Sequence, residues 1–344
     1  MKLQEPTPAA LQNPLLRNFL ATRPAFLAVS LFACLIGLAG AHYSGVPVAP
    51  LSAAATLVFA LVAHAGVNVL NDYYDDLIGT DAINTERIYP FTGGSRFIQN
   101  GVLTPRDTGV LGAALLGVVV PAGLWLASRS ASGLVAIGAA GLFIGWAYSA
   151  PPLKLNSRGL GEACVAVGFG LIAVGADYVQ RAEFSLFPVV AVLPYALLVT
   201  NVLYINQFPD LKADAATGKH HWVVRLGARR ARWGYLALAA LAYGWLAGAV
   251  LAQALPPLAL VGLVAAAPSA RAAQLLWQRA QEPQQLAPAI RATIAAALLH
   301  GAALALALLV SAPEISPHAS SPVAAAPTPA RAAARESRAV APNG

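Results

Sequence analysis

Nine apolar runs, each about long enough to cross the roughly 30 Å hydrocarbon core of a bilayer, constrain this 344-residue chain more than any motif does. They fall near 25–42, 51–72, 108–127, 131–148, 160–178, 186–206, 232–251, 256–274 and 289–310. With 58% hydrophobic residues, 11% charged residues and a mean hydropathy of +0.62, the chain reads as a polytopic membrane protein. The runs show no strict period-2 alternation, which argues against a transmembrane barrel. The expected fold is therefore an all-α membrane bundle of about nine transmembrane helices. Glycines such as Gly168 and Gly170 suit close backbone approach where lipid provides no hydrophobic drive for association.

Lys and Arg set the expected orientation. Placing the N-terminus in the cytoplasm puts most of the 22 of them on inner loops and leaves only Arg129 and Arg181 on the outer ones, as the positive-inside rule requires. The net charge of +7 and pI near 9.6 then follow from topology and anionic headgroups, with no nucleic-acid partner implied. The multi-pass protein is expected in the inner (cytoplasmic) membrane with its active site facing the cytoplasm. Ala39-Gly40-Ala41 resembles a signal-peptidase site, but the long mixed stretch before the first run, with Glu5, is unlike a signal peptide. Residues 1–22 are expected as a cytoplasmic segment with a short anchoring surface helix around Leu11 to Phe19. Residues 23–311 form the membrane domain, and 312–344 an Ala/Pro-rich disordered tail. Cys34 and Cys164 lie in apolar runs and read as small buried hydrophobes.

Carboxylates are scarce, yet two clusters of them sit at the inner ends of apolar runs: Asn71-Asp72-Tyr73-Tyr74-Asp75-Asp76 with Asp81, and Asn206-Gln207-Phe208-Pro209-Asp210 with Asp214. Acids beside hydrocarbon usually mark a functional site. At 100° per residue His64, Asn68, Asn71 and Asp75 share one helical face, with Asp72 beside it. Asn206, Asp210 and Asp214 recur every fourth residue, although Pro209 predicts a kink or a helix restart there. Both clusters follow inner helix ends and are placed to share one site. Carboxylate and amide oxygens without nearby thiols favour Mg²⁺, which usually shares its shell with substrate phosphate. Lys154, Arg158, Arg87, Arg96, Lys212, Lys219 and Arg225 lie on inner loops and are candidates to meet that phosphate. Gly93-Gly94-Ser95-Arg96 is a candidate to present backbone N–H groups to it, and His220-His221 reads as a loop feature. A transporter would also place acids in a bundle, but its site is usually at the bilayer midplane.

Asn71-Asp72-x-x-Asp75, Asp210 with Asp214, and Tyr148-Ser149-Ala150-Pro151-Pro152-Leu153-Lys154 together resemble the UbiA superfamily of intramembrane aromatic prenyltransferases over about residues 15–310. Gly79-Thr80-Asp81, Gly93 to Arg96, Tyr178-Val179-Gln180 and Gly218-Lys219 are most similar to its 1,4-dihydroxy-2-naphthoate branch, which serves menaquinone biosynthesis. Pro209 and Asp177 depart from that branch. The resemblance implies a polyprenyl diphosphate and a small aromatic acceptor as partners, Mg²⁺ as cofactor, and demethylmenaquinol as product. It implies metal ligation by Asp72, Asp75, Asp210 and Asp214. Arg96, Lys154, Arg158 and Lys219 would neutralise diphosphate, Asn68 and Asn71 would orient ligands, and Tyr148 would face the allylic cation. Asp81 belongs to the substrate site, and Asp81 or Glu162 is a candidate general base. 4-Hydroxybenzoate, homogentisate, haem and chlorin are the alternative acceptors.

Overall fold

The computed structural model describes residues 4–312, and the expected Ala/Pro-rich tail lies outside them. Among these residues every regular element is helical. Pro24–Tyr43, a 3₁₀ turn followed by helix α2 (Ala28–Tyr43), is the first span. α3 (Pro50–Ile78), α5 (Pro105–Arg129), α7 (Gly161–Arg181), α8 (Phe187–Ala216), α10 (Ala228–Leu251) and α12 (Ala287–Val310) are long and apolar enough to cross a membrane. So is Pro257–Arg279, a 3₁₀ stretch continued by α11 (Ala266–Arg279). α6 (Gly133–Ser149) is apolar but shorter, at 17 residues. These elements coincide with the nine apolar runs, and the chain is a multi-pass membrane protein. Short helices α1 (Pro14–Ala21), α4 (Thr80–Ile83) and α9 (Trp222–Leu226) lie between or before the spans.

α8 is the hub. Its residues from Ala191 to Phe208 are almost continuously buried against α2, α7, α10 and α12, so it is apolar on all sides except toward the site. Pro209 does not restart it: the helix runs unbroken from Phe187 to Ala216 with both Pro194 and Pro209 inside. Prolines within membrane helices are tolerated where neighbouring groups re-satisfy the freed backbone. α2 and α7 meet backbone to backbone at Gly37, where a Cβ would fall 2.2 Å from the carbonyl oxygen of Ala173. Asp177, the unexpected acid of α7, is buried in a two-contact pair with Arg181 at 2.8 Å for each bond.

The N-terminal segment does more than anchor. α1 is capped by the Asn13 side chain and leaves Leu15, Leu16 and Phe19 exposed, as a helix lying at a membrane interface would. Ahead of it Leu11 packs with Phe97, Val102 and Leu103, while Glu5 accepts hydrogen bonds from Arg87 and Asn100 at 2.8 and 3.1 Å. The segment thereby fastens the loop between α4 and α5.

Candidate active site

α3 ends at Gly79, whose φ of +83° closes the helix and turns the chain into α4. That turn brings Asp81 and Asn84 back toward the last turns of α8. A hydrogen bond between the hydroxyls of Thr80 and Thr217, 2.8 Å, ties the two helix ends together. The expected faces are realised: His64, Asn68, Asn71 and Asp75 of α3 and Asn206, Asp210 and Asp214 of α8 line one cavity of about 480 Å³. Tyr148, Asp81 and Lys219 line it too.

The carboxylates are held by a dense set of donors. Lys219 places its ammonium 2.8 Å from Asp75 Oδ1 and 3.5 Å from Asp214 Oδ1, bridging the two clusters. Burial opposes its charge, but Asp75 and Asp214 outweigh burial and hold its pKa above the ordinary lysine value. Asn84 donates to Asp210 at 2.5 Å. Asn71 donates to Ser149 at 2.9 Å and to Asp75 at 3.3 Å. His221 Nδ1 accepts the Val224 N–H as the cap of α9, so its Nε2–H donates to Asp214, 2.9 Å away. His221 is thus buried in the site and is not the simple loop feature its neighbourhood suggests.

Asp81 is buried among like charges. Burial, then the charges of Asp75 and Asp72, push its carboxyl well above the ordinary range. Gly94, at φ +72°, is what lets the loop lie against it, because a Cβ there would stand 2.1 Å from Asp81 Oδ2.

Several expected placements change. Asp72 is buried but does not line the cavity; it turns under the Gly93-Gly94 loop, where both its oxygens stand 3.3 Å from the Ser95 N–H. That N–H is therefore spent on a carboxylate and is not presented to a phosphate. Arg96 is also buried behind the site. It donates to the Asp81 carbonyl at 2.5 Å and faces Glu5 at 3.7 Å, and burial and Arg87 lower its pKa. Lys154 and Arg158 are not part of the cavity wall: Lys154 occupies a left-handed turn at φ +42°, and Arg158 donates to the Pro152 carbonyl. Arg87 and Lys212 pair with Glu5 and Glu86, and Arg225 donates to the carbonyls of His220 and Arg158. Only Lys219 of the seven proposed cations reaches the cavity. Cys164 also lines the wall. Glu162 stands behind it, accepting from Gln207 at 2.9 Å.

Among the described residues no three Asp, Glu, His or Cys side chains are close enough to enclose a metal ion as they stand. The donor set nevertheless suits a hard cation that keeps part of its water. Three cavity carboxylates converge beside Asp81, and the oxygens Asp81 Oδ2 and Asn206 Oδ1 are buried without a hydrogen-bond partner. Away from these acids the wall is apolar, with Phe59, Leu116, Leu142, Phe169 and Val199. Along α3 it extends from Asp75 to Thr56, roughly 28 Å at 1.5 Å per residue.

This architecture has known counterparts. The UbiA prenyltransferase family matches residues 30–294. The 1,4-dihydroxy-2-naphthoate octaprenyltransferase of Mycobacterium tuberculosis is 33% identical over 73% of this chain and 83% of its own length. The protein of the same name from Mycobacterium leprae is 35% identical over 53% of this chain, which spans 60% of that relative. A solved UbiA homolog from Aeropyrum pernix superposes with a TM-score of 0.60 at 18% identity, over 80% of this chain and 97% of that one. A UbiA homolog from Archaeoglobus fulgidus bound to GPP and Mg²⁺ gives 0.54 at 16% identity, over 86% and 99%. The chain is an enzyme of the UbiA prenyltransferase family.

Proposed function

We propose that this prenyltransferase moves a polyprenyl group from its diphosphate to 1,4-dihydroxy-2-naphthoate, with loss of CO₂, to give demethylmenaquinol. One observation carries the reading: carboxylates from the ends of α3 and α8 converge on Lys219 at the mouth of a cavity whose apolar wall runs most of the length of α3. The polar end suits a diphosphate, and the apolar length suits a hydrocarbon tail. The naphthoate as acceptor is supported by the relatives, and the cytoplasmic position of the mouth by the distribution of Lys and Arg.

Asp75, Asp210 and Asp214 would hold Mg²⁺, which when bound would supply Lewis-acid stabilisation of the departing diphosphate, while Asp72 as it stands is held on the Ser95 backbone away from the wall. The chain's own groups do the rest. Lys219 neutralises diphosphate oxygens as the bond from the prenyl C1 to oxygen breaks and the electron pair leaves with oxygen. The apolar wall keeps water from the allylic cation, and the Tyr148 ring presents a face to it. Asn68 and Asn71 orient the polar end of the substrates. The ring carbon bearing the carboxylate bonds to C1. Its bond to the carboxylate then breaks, CO₂ leaves, and the electron pair restores the aromatic ring. No proton is removed from that carbon, so this route needs no general base there.

An acceptor panel tests the assignment. Equal concentrations of 1,4-dihydroxy-2-naphthoate, 4-hydroxybenzoate and homogentisate, offered with geranylgeranyl diphosphate, should yield chiefly the naphthoate product. Turnover of 4-hydroxybenzoate with the naphthoate inert would overturn it.

A further inference from the structure

The cavity wall carries two Lys or Arg side chains, and they are in opposite states. Lys219 is enclosed by Asp75 and Asp214. Arg23, which comes from the turn before the first span, has no acidic group within ion-pair distance among the described residues. Among the described residues its side chain makes a single hydrogen bond, an Nη2 contact of 3.3 Å to the carbonyl of Phe91. A guanidinium has five donors in a fork matched to a carboxylate, so most of that fork is unspent.

The backbone is built to hold Arg23 there. Its φ of +57° and ψ of +58° place it in the left-handed region, which disfavours a residue with a Cβ by about 1–2 kcal/mol. Such a conformation persists only where its surroundings impose it, and it concentrates at functional sites. Here Asn68, on the polar stripe of α3, donates to the carbonyl of Thr22 at 3.2 Å and pins the turn to the cavity wall. Phe26 lies beneath the guanidinium, 4.5 Å from ring centre to charge, and Phe91 also lines the cavity. Nearby on the wall Ser30 and His64 pair with each other at 2.8 Å.

We infer that Arg23, with Phe26 and Phe91, forms the subsite that selects an aromatic acceptor carrying a carboxylate, while Lys219 serves the diphosphate. The inference deepens the proposed function and rests on it. Flat aromatic faces beside an unspent guanidinium fit a planar aromatic acid and offer little to a neutral phenol. The carboxylate stays ionised when paired with Arg23, which is the form that loses CO₂.

The test is the discrimination between matched competitors. Inhibition by 1-hydroxy-2-naphthoate and by 1-naphthol is compared in wild type, Arg23→Gln and Arg23→Lys, with KM measured for both substrates. Arg23→Gln should weaken 1-hydroxy-2-naphthoate, and raise the KM of the naphthoate acceptor, on the order of 10- to 100-fold. Inhibition by 1-naphthol and the KM for the diphosphate should stay within about twofold, and Arg23→Lys should recover part of the loss. A merely structural Arg23 would weaken both inhibitors together and overturn the inference. A rise confined to the diphosphate KM would overturn it by assigning Arg23 to the donor. A wild-type enzyme that does not distinguish the two inhibitors, or does not turn over the naphthoate, instead overturns the acceptor assignment, and the inference falls with it.

Discussion

Lys219→Met keeps the length of a buried side chain and removes its charge from between two carboxylates. At an effective dielectric of about 20, an ion pair at 2.8 Å is worth about 6 kcal/mol and one at 3.5 Å about 5 kcal/mol before desolvation is subtracted. Removing one partner of a buried pair has a net effect of roughly 3–5 kcal/mol, because the carboxylates left behind remain buried without compensation. The metal-free variant in EDTA should therefore unfold several degrees below wild type at pH 8. Mg²⁺ bound as proposed would bring positive charge to the same acids, so it should raise the variant's midpoint by more than the wild type's. With Mg²⁺ the variant's turnover should fall below wild type's, as the proposed neutralisation of the leaving group by Lys219 requires. Thermal unfolding in detergent with EDTA or Mg²⁺ reads all of this. Equal midpoints in EDTA and an equal response to Mg²⁺ would refute the claim that Lys219 compensates the acid clusters.

Other residues give separate checks. Asp81 is held above its unfolded value near 3.9, so the folded metal-free protein retains a proton that the unfolded chain gives up. Its stability in EDTA should fall as pH rises from about 4 through the raised folded pKa, and Asp81→Asn should flatten that slope. Identical slopes for the two proteins would contradict this. His221→Gln removes the donor that orients Asp214 and should lower kcat/KM or Mg²⁺ affinity about 10- to 100-fold with the fold intact, as outer partners of metal ligands do. An unchanged Mg²⁺ titration and kcat/KM would exclude that role. Gly37→Ala must push α2 from α7 and should destabilise by about 1–3 kcal/mol, measured by thermal unfolding; an unchanged midpoint would show that the contact yields without strain.

What the sequence made legible follows from helix geometry. Fixed spacing along a helix maps directly onto one face, so the stripe from His64 to Asp75 and the i, i+4 series from Asn206 to Asp214 could be placed before any fold was known. The spans were legible because hydrocarbon thickness sets their length. Loop cations were not, because the positive-inside rule puts Lys and Arg on inner loops whether or not they meet substrate. Lys219 reaches the acids through a turn at Gly218, φ +80°, whereas Lys154 sits in a left-handed turn off the cavity wall and Arg158 donates to the Pro152 carbonyl. His221 comes seven residues after Asp214, past the end of α8, where no helical period predicts contact. Glu5 and Arg23 act across long separations in sequence, on Arg87 and on the cavity wall, and no local pattern announces either. Asp72 looked equivalent to Asp75 by motif, yet three residues at about 100° each set the two about 60° apart, which turns Asp72 from the cavity to the Ser95 backbone.

The most direct test of the central claim uses 1,4-dihydroxy-2-naphthoate labelled with ¹³C in its carboxylate, incubated with purified protein, Mg²⁺ and geranylgeranyl diphosphate. One labelled CO₂ and one diphosphate are expected for each prenylated naphthoquinol, all abolished by EDTA. A prenylated product that keeps the label, product formed equally in EDTA, or no prenylated naphthalene at all would contradict it.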